Sequence, residues 1–300
     1  MKGLSLLLLL LFLVGNYSCT KKEIIYENEH IEIVVDGNEP PPYSGITTVQ
    51  IQGYVNRMYI DLIGREPTAA EREDATQYLK THQLSDDARE DILHQLMITN
   101  DYFKRFTTIY KSELLDGVTN LDIQGRVALL NSLYDIAVNA GDLTLAQLYL
   151  REFDRMITLQ NASSNYQNGT ISINDFFAAL INNPIFDDIN MGSENFVNAC
   201  FEGLLKRLPT ETELNAAVSM VDGFSAQLLL TDGNGKTDFT NILTTVDEFY
   251  QGLTIDIYQL LLARLPNSQE MGTGTIELKT TKNYQMLQKK VMKTDEYAGF

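Results

Sequence analysis

Cysteine, tryptophan and histidine are scarce in this 300-residue sequence, which has 2 Cys, 0 Trp and 3 His. The two thiols, Cys19 and Cys200, are too few for a disulfide framework, so the fold must be held together by burial of apolar side chains. Hydrophobic residues make up 44% of the chain, which is enough for a globular core.

Motifs of catalysis and cofactor binding are also missing. His30, His82 and His94 are scattered and form no paired motif at the spacing of a zinc site. The sequence has no Cys-x-x-Cys-His for haem, no phosphate-binding glycine loop and no Gly-x-Ser-x-Gly elbow. We therefore predict no metal, no cofactor and no enzymatic activity.

Basic residues are few compared with acidic ones. The chain has 23 Lys and Arg against 40 Asp and Glu, a formal net charge of -17. A chain of this sign gains nothing from neutralising phosphates, so nucleic acid is excluded as a partner. Two interpretations remain, attraction to basic proteins or cations and simple solubility, and solubility is the favoured one.

The first residues have the pattern of a bacterial export signal. Lys2 precedes an apolar run from Leu4 to Val14, and a short polar stretch then leads to Cys19. The run is about half of the roughly 20 residues that a membrane-spanning helix needs. We predict a signal peptide over residues 1–18 rather than a permanent membrane span.

Cys19 follows the small residue Ser18 and resembles the modified cysteine of bacterial lipoprotein precursors. The resemblance implies cleavage before Cys19 and attachment of lipid to its sulfur, and the alternative is ordinary secretory cleavage with Cys19 as a bystander. Thr20 stands where an Asp would retain a Gram-negative lipoprotein at the inner membrane, so the resemblance implies the outer membrane. Residues 19–52, with prolines at 40–42, are expected to form an extended tether.

Three segments of the chain repeat a helix, a proline and a capped helix. Apolar residues fall on one helical face before each proline, and an arginine stands two residues before it. We expect this arginine in the last helical turn, where a cation suits the helix dipole. A capping-box pair follows each proline and starts the next helix. The sets are Arg65, Pro67, Thr68 and Glu71; Arg207, Pro209, Thr210 and Glu213; and Arg264, Pro266, Asn267 and Glu270.

A second pattern follows each of these segments. Apolar residues stand ten and six positions before an aromatic residue, again on one helical face, and an acidic residue directly precedes each ring. We interpret the rings as core anchors rather than as a cofactor site. The acid and ring pairs are Asp101-Tyr102, Glu248-Phe249 and Glu296-Tyr297.

These patterns predict an all-α fold of stacked helix pairs. The repeat units are expected over 53–116, 191–253 and 254–300. Between the first two, residues 117–190 form a central helical segment, with helices over 121–138, 143–159 and 174–182 and breaks at 141–142 and 161–169.

At these residues the chain resembles two bacterial families of unknown function. The segment Tyr59-Ile-Asp-Leu-Ile-Gly-Arg-Glu-Pro67-Thr68 is similar to Tyr-x-Asp-Leu-x-Gly-x-x-Pro-Thr, the hallmark of a helical domain of large cytochrome-linked proteins. The looser second and third copies resemble phycobilisome-linker-like repeat domains of secreted proteins. Neither resemblance implies a catalytic residue.

A few polar clusters could in principle form sites. The loop Asp232–Asp238 has a superficial likeness to a calcium loop, but Leu243 stands where the closing Glu should be, so a polar turn between helices is the favoured interpretation. The acids Asp86-Asp87, Asp187-Asp188 and Asp247-Glu248 are neighbours that point apart on a helix. Cys200 is expected to be a buried, inert thiol.

The leading functional hypothesis is a non-enzymatic interaction module, held at the outer membrane by lipid on Cys19, that presents acidic grooves to a protein partner in the envelope. The alternative is a lipoprotein that binds a surface glycan or another nutrient ligand beside an outer-membrane transporter. A stabilising ligand would distinguish the two.

Overall fold

The computed structural model describes residues 45–300, so the leader, Cys19 and most of the tether lie outside the described residues. The described part is about 75% helical, with 15 helices and one two-stranded sheet, and the predicted all-α fold class is confirmed. The first helix begins at Thr48, so residues 48–52, which we assigned to the tether, belong to the fold.

The first repeat unit contains four helices, and the central segment contains four more. Their bounds are α1 Thr48–Ile63, α2 Ala69–Thr81, α3 Asp86–Met97, α4 Asn100–Leu114, α5 Asn120–Asn139, α6 Leu143–Gln167, α7 Ile173–Ile181 and α8 Pro184–Ile189.

The remaining elements complete the second and third units. They are α9 Ser193–Cys200, which continues as a π-helical turn over Phe201–Leu205, α10 Glu211–Val221, β1 Ala226–Leu228, β2 Thr231–Gly233, α11 Lys236–Leu243, α12 Asp247–Leu262, α13 Ser268–Thr281, α14 Tyr284–Met292 and α15 Asp295–Ala298.

The proline turns are built as the sequence predicts, except at the arginine. The capping boxes at Thr68, Thr210 and Asn267 all form, with the Glu three residues later bonded back to the cap. The helix before each proline ends two residues before the arginine and is followed by a left-handed C-cap residue. The arginine therefore lies after the helix, and our placement of it in the last turn was wrong. The left-handed residues are Gly64, Lys206 and Ala263.

The second and third units share a helix. The ring of the second unit, Phe249, and the first helix of the third unit both lie in α12, Asp247–Leu262. The predicted boundary between residues 253 and 254 therefore falls inside a continuous helix. In every unit the acid and ring pair lies in the first turn of a helix. In the second unit that helix continues as the first helix of the third unit, so no linker separates the two.

The third unit packs directly on the first, more than 180 residues away in sequence. The Tyr54 hydroxyl donates to the Met292 carbonyl oxygen at 2.9 Å. The Tyr102 hydroxyl donates to Gln288 Oε1 at 2.6 Å. Arg89, only 7% exposed, donates to the Lys293 carbonyl at 2.6 Å. The units therefore do not follow one another in a linear array.

A cluster of buried rings joins the units to the central segment. Phe106 on α4 lies 5.1 Å, between ring centroids, from both Phe176 on α7 and Tyr284 on α14. Phe177 lies 5.4 Å from Phe249 in the same way. The three rings predicted as core anchors, Tyr102, Phe249 and Tyr297, are at most 1% exposed, so that prediction is confirmed.

The central segment is dominated by a helical hairpin. Its first helix, α5, and the break at Gly141-Asp142 agree with the prediction. Its second helix, α6, continues to Gln167 instead of ending near residue 159, so the predicted break at 161–169 shrinks to the few residues before Ile173. Within residues 45–300, none of the helices is long and apolar enough to cross a membrane.

Candidate functional site

Each proline turn carries the same ion pair, which we call an arginine clasp. In every copy the two Nη atoms of the arginine bind both carboxylate oxygens of the capping-box glutamate at 2.7–2.8 Å. The guanidinium also lies 5.2–5.6 Å from the centroid of an aromatic ring of the preceding helix. The clasps are Arg65 with Glu71, Arg207 with Glu213, and Arg264 with Glu270.

The acid that precedes each core ring is explained by the same clasp. Glu248 accepts from Arg207 Nε at 2.7 Å, and Glu296 accepts from Arg264 Nε at 2.6 Å. In the first unit the shorter Asp101 makes no such bond with its arginine and instead lies 3.5 Å from Lys104 Nζ. Each of these two glutamates therefore joins the later helices of its unit to the proline turn of the same unit, so its charge is already engaged.

The clasps predict a specific acid sensitivity. The hydrogen bonds from arginine lower the pKa of Glu71 and Glu213 from 4.5 to about 2 and lower the pKa of Glu270 as well. A depressed folded-state pKa gives stability that is present above pH 4.5 and lost as the pH falls toward about 2.

The variant carrying Glu71→Gln, Glu213→Gln and Glu270→Gln should therefore lose less stability than the wild type over that pH range. Urea unfolding at several acidic pH values measures the difference. Parallel curves for variant and wild type would show that the clasps do not cause the acid sensitivity.

The paired acids of the sequence are also engaged by cations or caps. Asp187 binds Arg155 Nη2 at 2.9 Å and Lys236 Nζ at 2.8 Å. Asp86 and Asp87 lie in the first turn of α3, which Ser85 caps. Asp247 binds Lys279 Nζ at 2.6 Å. The structure therefore does not bring these pairs together into an acid and base arrangement.

The other sequence candidates lie apart from one another. His82 and His94 are exposed, and His30 lies outside the described residues. Cys200 is 0% exposed, and burial raises the pKa of its thiol, so the buried position we predicted is confirmed. Within residues 45–300, no group of three or more His, Cys, Asp or Glu residues is arranged to hold a metal ion.

The loop Asp232–Asp238 differs from the polar turn that we predicted. Residues 226–228 and 231–233 pair as a short antiparallel hairpin, with Gln227 opposite Asp232. The Asp238 carboxylate accepts from the Asn234 amide at 2.9 Å. Asp238 therefore stabilises the chain where it enters α11.

A buried ion cluster brings together one residue from each of the three units and was not predicted from the sequence. Lys206 Nζ lies 2.7 Å from Glu113 Oε1 and 2.8 Å from Asp256 Oδ1, and it also donates to the Gly203 carbonyl at 2.9 Å. Asp256 is only 8% exposed, and its burial raises its pKa from 3.8 to about 6 although Lys206 acts in the opposite direction.

A polar cleft of about 660 Å³ lies between α4, the start of α5 and the end of α6. We call it the lysine cleft, because Lys104 and Lys111 line it. Hydroxyl and amide side chains make up much of the rest of its wall, and Phe176 lies at its apolar base. The hydroxyls of Thr107 and Ser163 bond to each other across the cleft at 2.8 Å.

A smaller groove of about 450 Å³ in the first unit has an acidic and aromatic lining that includes Tyr59, Glu71, Asp74 and Tyr78. Glu71 is held in its clasp by Arg65 at 2.7 Å. The lining therefore has two acids, and the charge of one of them, Glu71, is already engaged.

The outer half of the α5–α6 hairpin exposes many apolar side chains. We call residues 128–150 the arm. Ile136 is 64% exposed and Leu143 is 69% exposed, and the arm contains two aspartates, Asp135 and Asp142, but no Lys or Arg. The exposed large apolar residues of the arm are Leu129, Ile136, Val138, Leu143, Leu145, Leu148 and Leu150.

Sequence reasoning missed both the lysine cleft and the arm. One sign of the cleft was available, because Lys104, Thr107, Thr108 and Lys111 fall at i, i+3, i+4 and i+7 on α4 and form a polar stripe without an acid. The arm gave a misleading sign, since apolar residues on several sides of α5 are typical of a buried helix.

Comparison with protein-family models, with curated proteins and with solved structures finds no match to this chain.

Proposed function

We propose that this protein is a non-enzymatic interaction module whose contact element is the arm, and that lipid on Cys19 holds it at the outer membrane. The observation that carries the proposal is the set of seven large apolar side chains that the arm leaves exposed. Large apolar side chains that are exposed together on one element are typical of sites that bind another protein. A non-enzymatic role is supported by the salt bridges of Glu213, Glu270 and Asp187, because a carboxylate held by a cation is not free to transfer protons to a substrate.

The charge of the arm favours one class of partner. The arm carries two aspartates and no basic residue, within a chain of formal net charge -17. A second copy would bring the same charge to the contact and be repelled. We therefore propose that the partner presents an apolar helical segment flanked by Lys or Arg, as in other complexes of an amphipathic helix with an apolar surface.

The anchor part of the proposal is supported by the sequence of the leader and by Cys19 itself. A lipid-bound cysteine followed by an extended tether would leave the helical fold free to reach a partner near the membrane. A second functional candidate, the binding of a small ligand, is favoured by the lysine cleft and concerns a different part of the molecule.

Photo-crosslinking in the native cells tests the role of the arm. A photoreactive amino acid at Ile136 or Leu148 should capture the same protein, because both positions lie on the arm and are exposed. Ile276 is the matched control, since it is 68% exposed but lies on α13, away from the arm.

The Cys19→Ala variant tests the anchor in the same cells. Without lipid on residue 19, the protein should leave the membrane fraction, and unchanged membrane retention would contradict the anchor.

Capture alone is not sufficient, so the captured protein must also bind the purified fold. The double variant Ile136→Asp and Leu148→Asp should weaken that binding at least about ten-fold while leaving the melting temperature unchanged, because neither side chain is in the core. Equal crosslinking from Ile276, or unchanged affinity of the double variant, would remove the support for the arm.

A further inference from the structure

The lysine cleft differs in charge from the rest of the molecule. The chain has 40 acidic and 23 basic residues, yet the seventeen residues that line this cleft include two lysines and no Asp or Glu. Its volume, about 660 Å³, is within the range of small-molecule sites in proteins. The lining of the cleft is therefore free of acids on an otherwise acidic protein, although Asp101, outside the lining, lies 3.5 Å from Lys104 Nζ.

Lys111 is the central feature of the cleft. The residue is only 9% exposed, and its ammonium group, partly buried in the wall of the cleft, donates to Asn120 Oδ1 at 2.7 Å. No carboxylate of residues 45–300 lies within 4.0 Å of this ammonium group, whereas Lys206 has two. An ammonium has three donors, and Asn120 accepts from one of them.

A buried ammonium without a counter-ion is costly, because charge is stable in a protein interior only when it is paired. Burial accordingly lowers the pKa of Lys111. An anion that entered the cleft would supply the missing partner. Lys104 is on the same face of α4 but already lies 3.5 Å from Asp101 Oδ1, so Lys111 would supply most of the attraction.

The neutral part of the lining indicates what else the ligand carries. Thr107, Thr108, Ser112, Ser163 and Gln167 offer hydroxyl and amide groups that both donate and accept hydrogen bonds. Phe176, the one aromatic residue of the lining, is 0% exposed and offers no open ring face. A ligand ring therefore cannot stack on an aromatic face here, so hydrogen bonds and charge must dominate recognition.

We propose that the lysine cleft binds a small anion bearing several hydroxyl groups, of the size of one sugar ring with a carboxylate or a phosphate. Lys111 would bind the anionic group, and the hydroxyl and amide side chains of α4 and α6 would bind the ring hydroxyls. The cleft lies at the base of the hairpin and not on the arm, so this inference does not depend on the proposed protein partner.

Calorimetry and thermal shift with defined probes test the proposal on the whole fold. Glucuronate and glucose 6-phosphate carry the two anionic groups, glucose is the neutral match, and inorganic phosphate is the anion without a ring. We expect at least one of the two anionic sugars to bind at least ten-fold more tightly than both glucose and inorganic phosphate. The preferred anionic sugar identifies the carboxylate or phosphate class.

Substituting single lysines distinguishes specific binding in the cleft from a general attraction of anions to any lysine of the protein. Lys111→Met should reduce the affinity at least ten-fold without lowering the melting temperature, because it removes an unpaired buried charge. Lys104→Met should give a smaller loss, and Lys80→Met, which lies outside the cleft, should give none. Equal binding of glucose, binding that survives Lys111→Met, or no binding by either anionic sugar would overturn the proposal.

Discussion

Replacing Lys206 with methionine is expected to lower the free energy of unfolding by about 3–5 kcal/mol, the usual cost of leaving a buried charge without its partner. Asp256, 8% exposed, would lose the ammonium that lies 2.8 Å away. Glu113 is more exposed and should lose little. Urea or thermal unfolding measures the effect.

The pH dependence of this loss distinguishes an electrostatic cause from lost packing. The pKa of Asp256, raised by burial to about 6, should rise further when Lys206 is removed. A raised folded-state pKa gives stability that is present below the unfolded value near 3.8 and lost as the pH rises through the folded one. The loss in Lys206→Met should therefore be larger at neutral than at mildly acidic pH.

The matched control adds Asp256→Leu to Lys206→Met. Removing both charges should recover most of the stability, because no uncompensated buried charge remains. A double variant as unstable as the single one, or a loss independent of pH, would show that the cluster acts through packing alone.

Replacing Gly252 with alanine is expected to destabilise the fold by about 3 kcal/mol or more, at the upper end for overpacking. Gly252 lies inside α12, and a Cβ there would overlap the backbone carbonyl oxygen of Leu204 in the π-helical turn. Backbone cannot rotate away as a side chain can. For a domain of this size the melting temperature should fall by several degrees or more.

Two other helical glycines supply the control for Gly252. At Gly53 in α1 and Gly272 in α13 an added Cβ would meet nothing within 4 Å, and neither residue has a positive φ. Gly53→Ala and Gly272→Ala should therefore each stabilise the fold by about 0.5–1 kcal/mol, the ordinary gain in a helix. Destabilisation by all three substitutions to the same extent would contradict the proposed close contact.

Much of the local structure could be predicted from the sequence because its causes are local. Thr68 and Glu71, or Thr210 and Glu213, are three residues apart and satisfy each other's backbone groups wherever the helix is placed. The burial of Tyr102, Phe249 and Tyr297 follows from one helical periodicity. These signals are independent of the rest of the fold.

The remaining features depend on contacts between residues far apart in sequence. The role of Glu248 became visible only when α12 met Arg207, 41 residues earlier. Gly252 looks like an ordinary helical glycine until Leu204 is placed beside it. Lys111 becomes a candidate site only because α6 brings hydroxyls and no acid to its side of the cleft.

The arm shows why amphipathic patterns alone were insufficient for function. Leucines on several sides of α5 predict burial, and Leu130 and Ala137 are indeed buried. Leu129 and Ile136, with a similar sequence context, remain exposed. Such exposed apolar residues are what we expect of a helix whose outer face is covered by a bound partner.

The most direct measurement of the proposed function is the affinity of the purified fold for the protein captured through the arm, compared between wild type and the variant Ile136→Asp and Leu148→Asp. We predict at least about ten-fold weaker binding by the variant, with an unchanged melting temperature and with wild-type binding that weakens as salt is added. Equal affinities for the two proteins would contradict the role of the arm.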